Sequence, residues 1–437
     1  MIALLSLLAL AAGPAVPSQP MPRPVLTLEQ ALATAREHQP QIQAAAAAAR
    51  AAAARVDEAH APLLPQVSGT GSYQRATANF VSRPGSLPRQ LGTSGGSESL
   101  ESFGYFNAGL NANYLLFDFG QTRARWRAAA ASYDAQRDSQ RTTESLVRFD
   151  VRTAFFQARA DRELVAVARD TLANQRKHLD QTQGFVDVGT QAPIALAQAK
   201  TGVSNAQVQL INAENGYDTA KAQLNQAMGV EDADDYDVAD ETLSPVPLED
   251  DAPGALFAEA LKTRPEIASL ADQVRAQELT VQALRGGYRP SLGLNSGATD
   301  AGAKVNGLTW NLSAALQVSV PIFTGGLTKA QVAEGEANLA AARSQVAIER
   351  LQVQLEVEQA RLAVRAAKSS LTASDDALEN AREQLHLAEG RYETGVGSII
   401  ELGDAQVALT SAAQQKVQAE YGLSQARAQL LKSLGRD

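Results

Sequence analysis

The sequence predicts a mixed α and β chain, mainly α, made of two internal repeats, each with two β-strands and a long helical hairpin. Three observations carry that prediction. The 437-residue chain matches itself at an offset of 206, which brings Phe117 onto Phe323, Gly120 onto Gly326, Gly189 onto Gly395, Leu224 onto Leu430 and Gly229 onto Gly435; such self-similarity organises everything else. Two stretches alternate apolar and polar residues with period two, the mark of half-buried strands. No Pro occurs from Gln121 to Ala192 or after Pro321, so nothing interrupts very long helices there.

The elements follow in order. Ile2 to Ala12 is apolar apart from Ser6 and ends at Gly13, Pro14 and Pro17, with a small-residue Ala9-Leu10-Ala11 site. Residues 1–18 therefore read as an export signal, although no Lys or Arg precedes the run. The first repeat covers 19–229. It opens on Thr27-Leu28-Glu29-Gln30, a capping-box pattern, with a helix expected to run to about Ala61. Strands follow at about 65–80 and 104–117. In the second strand Phe106, Ala108, Leu110, Ala112, Tyr114 and Leu116 share one face, and Asn107, Gly109, Asn111 and Asn113 the other. A turn at Asp118 to Gly120 leads into a helix over 121–187, which at 67 residues would be about 100 Å long. A tip at Val188-Gly189-Thr190 and a return helix over 193–229 complete the unit.

An acidic linker over 230–253, with Pro245, Pro247 and Pro253, joins it to the second repeat over 254–437. There a helix from about Ala255 to Leu284 precedes strands at about 290–301 and 307–323, a long helix over 327–394 and a return helix over 398–435. Leu308, Trp310, Leu312, Ala314, Leu316, Val318, Val320 and Ile322 alternate with Thr309, Asn311, Ser313, Gln317 and Ser319. Upstream the offset rises to 225, pairing Pro40 with Pro265 and Pro65 with Pro290. The first copy thus carries 19 extra residues, placed between about Gln74 and Phe103. Their Gly and Pro content is that of an exposed loop.

Composition excludes several functions. Lys and Arg number 39 against 48 Asp and Glu, a net charge of -9, so no basic field attracts nucleic acid. With no Cys and only four His, at 38, 60, 178 and 386, thiolate chemistry and disulfides are absent, and no metal-ligand spacing arises. Nucleophile-elbow, P-loop and dinucleotide motifs are missing. No enzyme, cofactor or metal site is expected. Beyond the signal no run of about 18 apolar residues exists, so a membrane could be entered only by strands. Four strands cannot close a membrane barrel, so several copies must combine, two giving about 8 strands and three about 12 with an open, polar-lined passage.

These residues resemble an outer-membrane efflux protein of the TolC type, over essentially the whole mature length. The resemblance rests on Thr27-Leu28-Glu29-Gln30-Ala31-Leu32 with Pro40 and on the Leu64-Pro65 and Arg289-Pro290 strand starts. Leu116-Phe117-Asp118-Phe119-Gly120 with Ile322-Phe323-Thr324-Gly325-Gly326, and the tips Phe185 to Thr190 and Arg391 to Val396, complete it. It implies a homotrimer whose 12-stranded β-barrel sits in outer-membrane lipid and continues into a periplasmic α-helical barrel. It further implies a passive exit duct for a tripartite pump or a type I secretion system, served by a periplasmic adaptor and driven by an inner-membrane pump. A periplasmic coiled-coil adaptor or scaffold is the alternative from another class.

Glu401 and Asp404, three apart on the return helix, place two carboxylates on one face. As spacing alone this describes an ordinary solvated face. The resemblance matches the pair to an acidic ring at the constricted inner end, six carboxylates in a trimer, favouring cations and binding multivalent blockers. Ala195 and Gln198 stand there in the first copy. Family gates are also held by polar links from a Tyr and an Arg to an Asp. Tyr392 matches the Tyr, while Gly397 and Ala195 occupy the other positions, so a gate held mainly by packing is expected. Val188, Gly189, Thr190, Gly395, Val396 and Gly397 form the tips, where Gly suits a helix-to-helix turn and the resemblance adds contact with the adaptor.

Overall fold

The computed structural model describes residues 24–77, 102–231, 235–247 and 249–436. The segment expected to be an export signal and most of the 19-residue insertion lie outside the described residues. Chain order is β1 (Val25–Leu26), α1 (Leu28–His38), α2 (Pro40–His60), β2 (Gln66–Thr77), β3 (Ser102–Phe117), α3 (Gln121–Asp187), α4 (Pro193–Met228) and β4 (Asp237–Val238). Then come α5 (Pro253–Thr263), α6 (Pro265–Gly286), β5 (Ser291–Gly302), β6 (Thr309–Ser319), α7 (Leu327–Glu393) and α8 (Ile399–Ser433).

The capping box at Thr27 forms in full: the Thr27 hydroxyl accepts from the Gln30 amide, and the Gln30 side chain accepts from the Thr27 amide. The opening helix is nevertheless two helices, which corrects the single run expected to about Ala61. Gln39 is extended (φ -66°, ψ 116°) because it precedes Pro40, and a residue before Pro is pushed out of the helical region. Arg264 before Pro265 does the same in the second repeat (φ -71°, ψ 123°). Each joint is clasped by the end of a return helix. Gly229 (φ +75°) is so close that a Cβ on it would meet the Gln39 Cα at 2.6 Å, and Gly435 (φ +65°) would meet that of Arg264 at 3.0 Å. Both positions need Gly for backbone sign and for space.

β2, β3, β5 and β6 form one antiparallel sheet in that order. Its register puts Val67, Leu110, Ala298 and Leu312 on one face and Ser68, Asn111, Gly297 and Ser313 on the other. The apolar face is uncovered, with Trp310 79% and Leu316 69% exposed. β6 stops at Ser319, short of the expected 323, because β5 begins at Ser291 opposite it and Pro321 has no amide to donate. Asp118 starts α3, its carboxylate accepting from the Gly120 and Thr122 amides at 3.0 and 2.6 Å.

α3 and α7, each 67 residues, carry the chain about 100 Å away from the sheet. Near the sheet they pack with α2 and α6, and farther down with α4 and α8, α8 lying between α3 and α7. Midway, α1 with the parallel pair β1–β4, and α5 in the second repeat, cover two apolar clusters. Phe155, Phe156 and Leu224 are at the centre of one, Val353, Val357 and Leu430 of the other. Among the described residues no helix is long and apolar enough to cross a membrane.

Candidate functional site at the hairpin tips

The two hairpins end in the same turn. In the first, Gly189 (φ +79°) donates to Val186 C=O and Thr190 to Phe185 C=O, at 3.0 and 2.9 Å. In the second, Gly395 (φ +77°) donates to Tyr392 C=O and Val396 to Arg391 C=O, both at 3.0 Å. These are the left-handed Gly closures that end helices. The Thr190 hydroxyl also donates to Phe185 C=O at 2.9 Å. Val188 and Val396 stand outermost, 72% and 73% exposed. A Cβ on Gly397 would lie 2.9 Å from the Tyr392 nitrogen, which accounts for the missing Arg there.

Tyr392 is buried, its ring 5.4 Å from that of His178 and 5.8 Å from that of Phe185. Its hydroxyl accepts from Gln191 Nε2 at 2.9 Å, donates to Gln191 Oε1 at 3.3 Å and lies 3.5 Å from the Thr182 hydroxyl. The second hairpin is therefore tied to the first by polar contacts within the protomer, beside the ring packing. Gln175 to Gln406 (2.8 Å) and Thr171 to Thr410 (3.1 Å) extend these links up α3 and α8. His178 is buried with Nδ1 lacking a hydrogen-bond partner, and burial lowers its pKa. Lys177, Glu389 and Glu393 share its surroundings.

Glu401 and Asp404 occupy the start of α8, where the Ser398 hydroxyl accepts from the Glu401 amide at 3.1 Å. Arg391 Nε lies 2.9 Å from Glu401 Oε1, with both side chains about half exposed. Asp404 is exposed, and among the described residues no cation pairs with it. Each protomer thus carries one offset and one open carboxylate. Sequence reasoning missed Gln191 and Arg391. Arg391 could have been found from its place just before the tip, opposite the first turn of α8; Gln191 has no local signal. Among the described residues no cluster of three or more His, Cys, Asp or Glu could hold a metal.

Comparison with known proteins fits this geometry. The profile of the outer membrane efflux protein family matches residues 31–230 and 256–436. The solvent efflux pump outer membrane protein SrpC of Pseudomonas putida is 27% identical over 359 residues, 80% of this chain and 74% of that protein. The pyoverdine export outer membrane protein OpmQ of Pseudomonas aeruginosa is 27% identical over 383 residues, 86% of this chain and 78% of that protein. The solved structure of CusC shares the fold with a TM-score of 0.80 at 18% identity, covering 98% of this chain and 100% of that one. The chain is a member of the outer membrane efflux protein family, an efflux channel of the outer membrane that extends into the periplasm.

Proposed function

We propose that three copies close into one duct, with a 12-stranded barrel in the outer membrane continuous with a tube of α3, α4, α7 and α8. The observation that carries this is the open four-stranded sheet, apolar on one face and amide- and hydroxyl-lined on the other, whose β3 and β6 lead directly into the long helices. β2 and β6 each leave an edge unpaired within the protomer, and such edges do not persist in lipid. Pairing β6 of one copy with β2 of the next satisfies both. A coiled-coil scaffold has no use for such a sheet.

The duct is a passive conduit, with energy supplied by an inner-membrane pump in a tripartite efflux or type I secretion assembly. Val188, Gly189, Thr190, Gly395, Val396 and Gly397 meet a periplasmic adaptor, Glu401 and Asp404 ring the narrow end, and Tyr392 helps hold it shut. SrpC and OpmQ are named for solvents and for pyoverdine, so cargo choice falls to the pump. Single-channel conductance of the purified protein in planar bilayers tests the reading. The parent should pass a cation-selective current that a trivalent cation blocks, and Glu401→Ala/Asp404→Ala should pass current without the block. A folded trimer that conducts nothing even after Tyr392→Phe/Gln191→Ala would refute the duct.

A further inference from the structure

The backbone of Arg391 anchors the second tip. Its carbonyl accepts from the Val396 and Gly397 amides at 3.0 and 2.8 Å and from the Thr394 hydroxyl at 3.1 Å. Gly397 lies so close that a Cβ on it would stand 3.0 Å from the Arg391 Cβ, so the arginine side chain leaves the turn past a residue that offers no obstruction. Opposite, the Ser398 hydroxyl accepts from the Glu401 amide at 3.1 Å and fixes the first turn of α8. The guanidinium spans the two, its Nε 2.9 Å from Glu401 Oε1. Phe185 and Ala195 hold the corresponding positions of the first tip, so the second repeat alone has both members of the pair.

Such a pair is well placed and weakly held. Between half-exposed side chains an ion pair adds little to stability, whereas the attraction of a cation to a carboxylate grows in proportion to its charge. A trivalent ion therefore competes well with the guanidinium for Glu401. In the proposed ring three copies bring six carboxylates and three guanidiniums together, so the narrow end shows half the negative charge that Glu401 and Asp404 alone would give it.

We infer that Arg391 is a tethered counter-ion that sets the cation affinity of the narrow end, covering Glu401 at rest and leaving it when a multivalent cation enters the ring. The inference rests on the reading that Glu401 and Asp404 line the constriction. Lanthanum(III) block of single channels of the full-length trimer in planar bilayers, at fixed ionic strength, tests it. Arg391→Gln should tighten the block on the order of tenfold, the effect of removing one positive charge a few ångströms from a trivalent ion in a watery, screened setting. Arg391→Lys, which keeps the charge, should stay near the parent. In a Glu401→Gln background Arg391→Gln should do little, because no carboxylate then holds the guanidinium at the ring. Block unaltered by Arg391→Gln, tightened as much by Lys as by Gln, or tightened equally in both backgrounds overturns the role of Arg391. If Glu401→Gln/Asp404→Asn still abolishes the block in those cases, the ring stands and only Arg391 falls. Channels that lanthanum fails to block with or without Arg391 remove the ring and the inference together, as does a trimer that conducts nothing even with Tyr392→Phe/Gln191→Ala.

Discussion

The tip of the first hairpin and the tip of the second share one backbone and differ in what hangs on it. Hydrogen bonds from Gly189 and Thr190 recur at an offset of 206 in Gly395 and Val396, with φ values of +79° and +77° at the glycines. On that common turn the second hairpin carries Arg391, Tyr392, Glu401 and Asp404 where the first carries Phe185, Val186, Ala195 and Gln198. The environments differ to match: Ala195 is buried at 7% exposure, whereas Glu401 is half exposed. Duplication preserved the turn because Gly and two carbonyls specify it, and left the helix faces free to take separate duties. The first tip supplies sockets, Phe185 and Gln191, for the Tyr392 of the second.

The largest effect should come from damaging what the tips share. Val396→Trp and Thr190→Trp each add bulk at the turn without changing its glycine, so trimers should form normally while export falls to the level of a strain lacking the protein. Normal export from both variants would remove the tips from the adaptor contact. Next in size is an exchange of duties. Gln198→Asp puts a carboxylate at the exposed position equivalent to Asp404, and under the proposed acidic ring this doubling of open carboxylates should tighten trivalent block severalfold. Ala195→Glu should instead destabilise the tip, since it buries a charge. Blocker titration in planar bilayers reads the first, and protease susceptibility of the hairpin the second.

Much of this was legible because the signals were local. Strict alternation from Phe106 to Leu116 specifies β3 and its two faces, and Gly120 with Gly189, and Gly326 with Gly395, bracket α3 and α7 through the left-handed backbone that only Gly accepts readily. The restriction on residues that precede proline, applied at Pro40 and Pro265, would have found the breaks at Gln39 and Arg264. In the first repeat it lost to the run from Ala44 to Ala54, broken only by Arg50, whose helix propensity masks a boundary. Contacts across the repeats left no such trace. Tyr392 and Gln191 lie 201 residues apart in sequence, and the clasps of Gly229 on Gln39 and Gly435 on Arg264 depend on packing between ends of different helices. That Asp300 falls on the apolar face follows from the register that sets it beside Trp310, for β5 has no strict alternation of its own to announce it.

A smaller change sharpens the link between the tips. Tyr392→Phe keeps the ring against His178 and Phe185 but removes the hydroxyl that Gln191 engages twice, and Gln191→Ala removes the other side of the same contact. A hydrogen bond between neutral groups is worth about 1 kcal/mol, so each variant should raise open probability roughly fivefold. The double variant should add nothing beyond either single one, because both delete one interaction. Additive increases would show that Gln191 and Tyr392 act on opening by separate routes.

The mildest test uses acidity, and it separates the tip from the middle of the molecule. Burial lowers the pKa of His178, so at neutral pH the imidazole is uncharged and costs nothing. The unfolded value is about 6.5. As pH falls below it, an opened tip binds a proton that the closed tip binds more weakly, so closed-tip stability declines from there down to the folded pKa. Lys177, and Glu389 and Glu393 on α7, line the same small cavity as the ring. The midsection follows a different group. Asp240 has a lowered pKa, first because it accepts a hydrogen bond from Arg159 at 2.7 Å. Its contribution is therefore complete above about pH 4 and is lost only as pH falls through the lower, folded value. Acidification from pH 7.5 to 5.5 should then lower the hydrogen-exchange protection factors, which correct for the slower intrinsic exchange in acid, severalfold at the ends of α3 and α7 and leave those of the Phe155 and Val353 cores unchanged. His178→Gln should abolish the response at the tip, and a tip that loosens equally in that variant would assign the effect to the surrounding carboxylates.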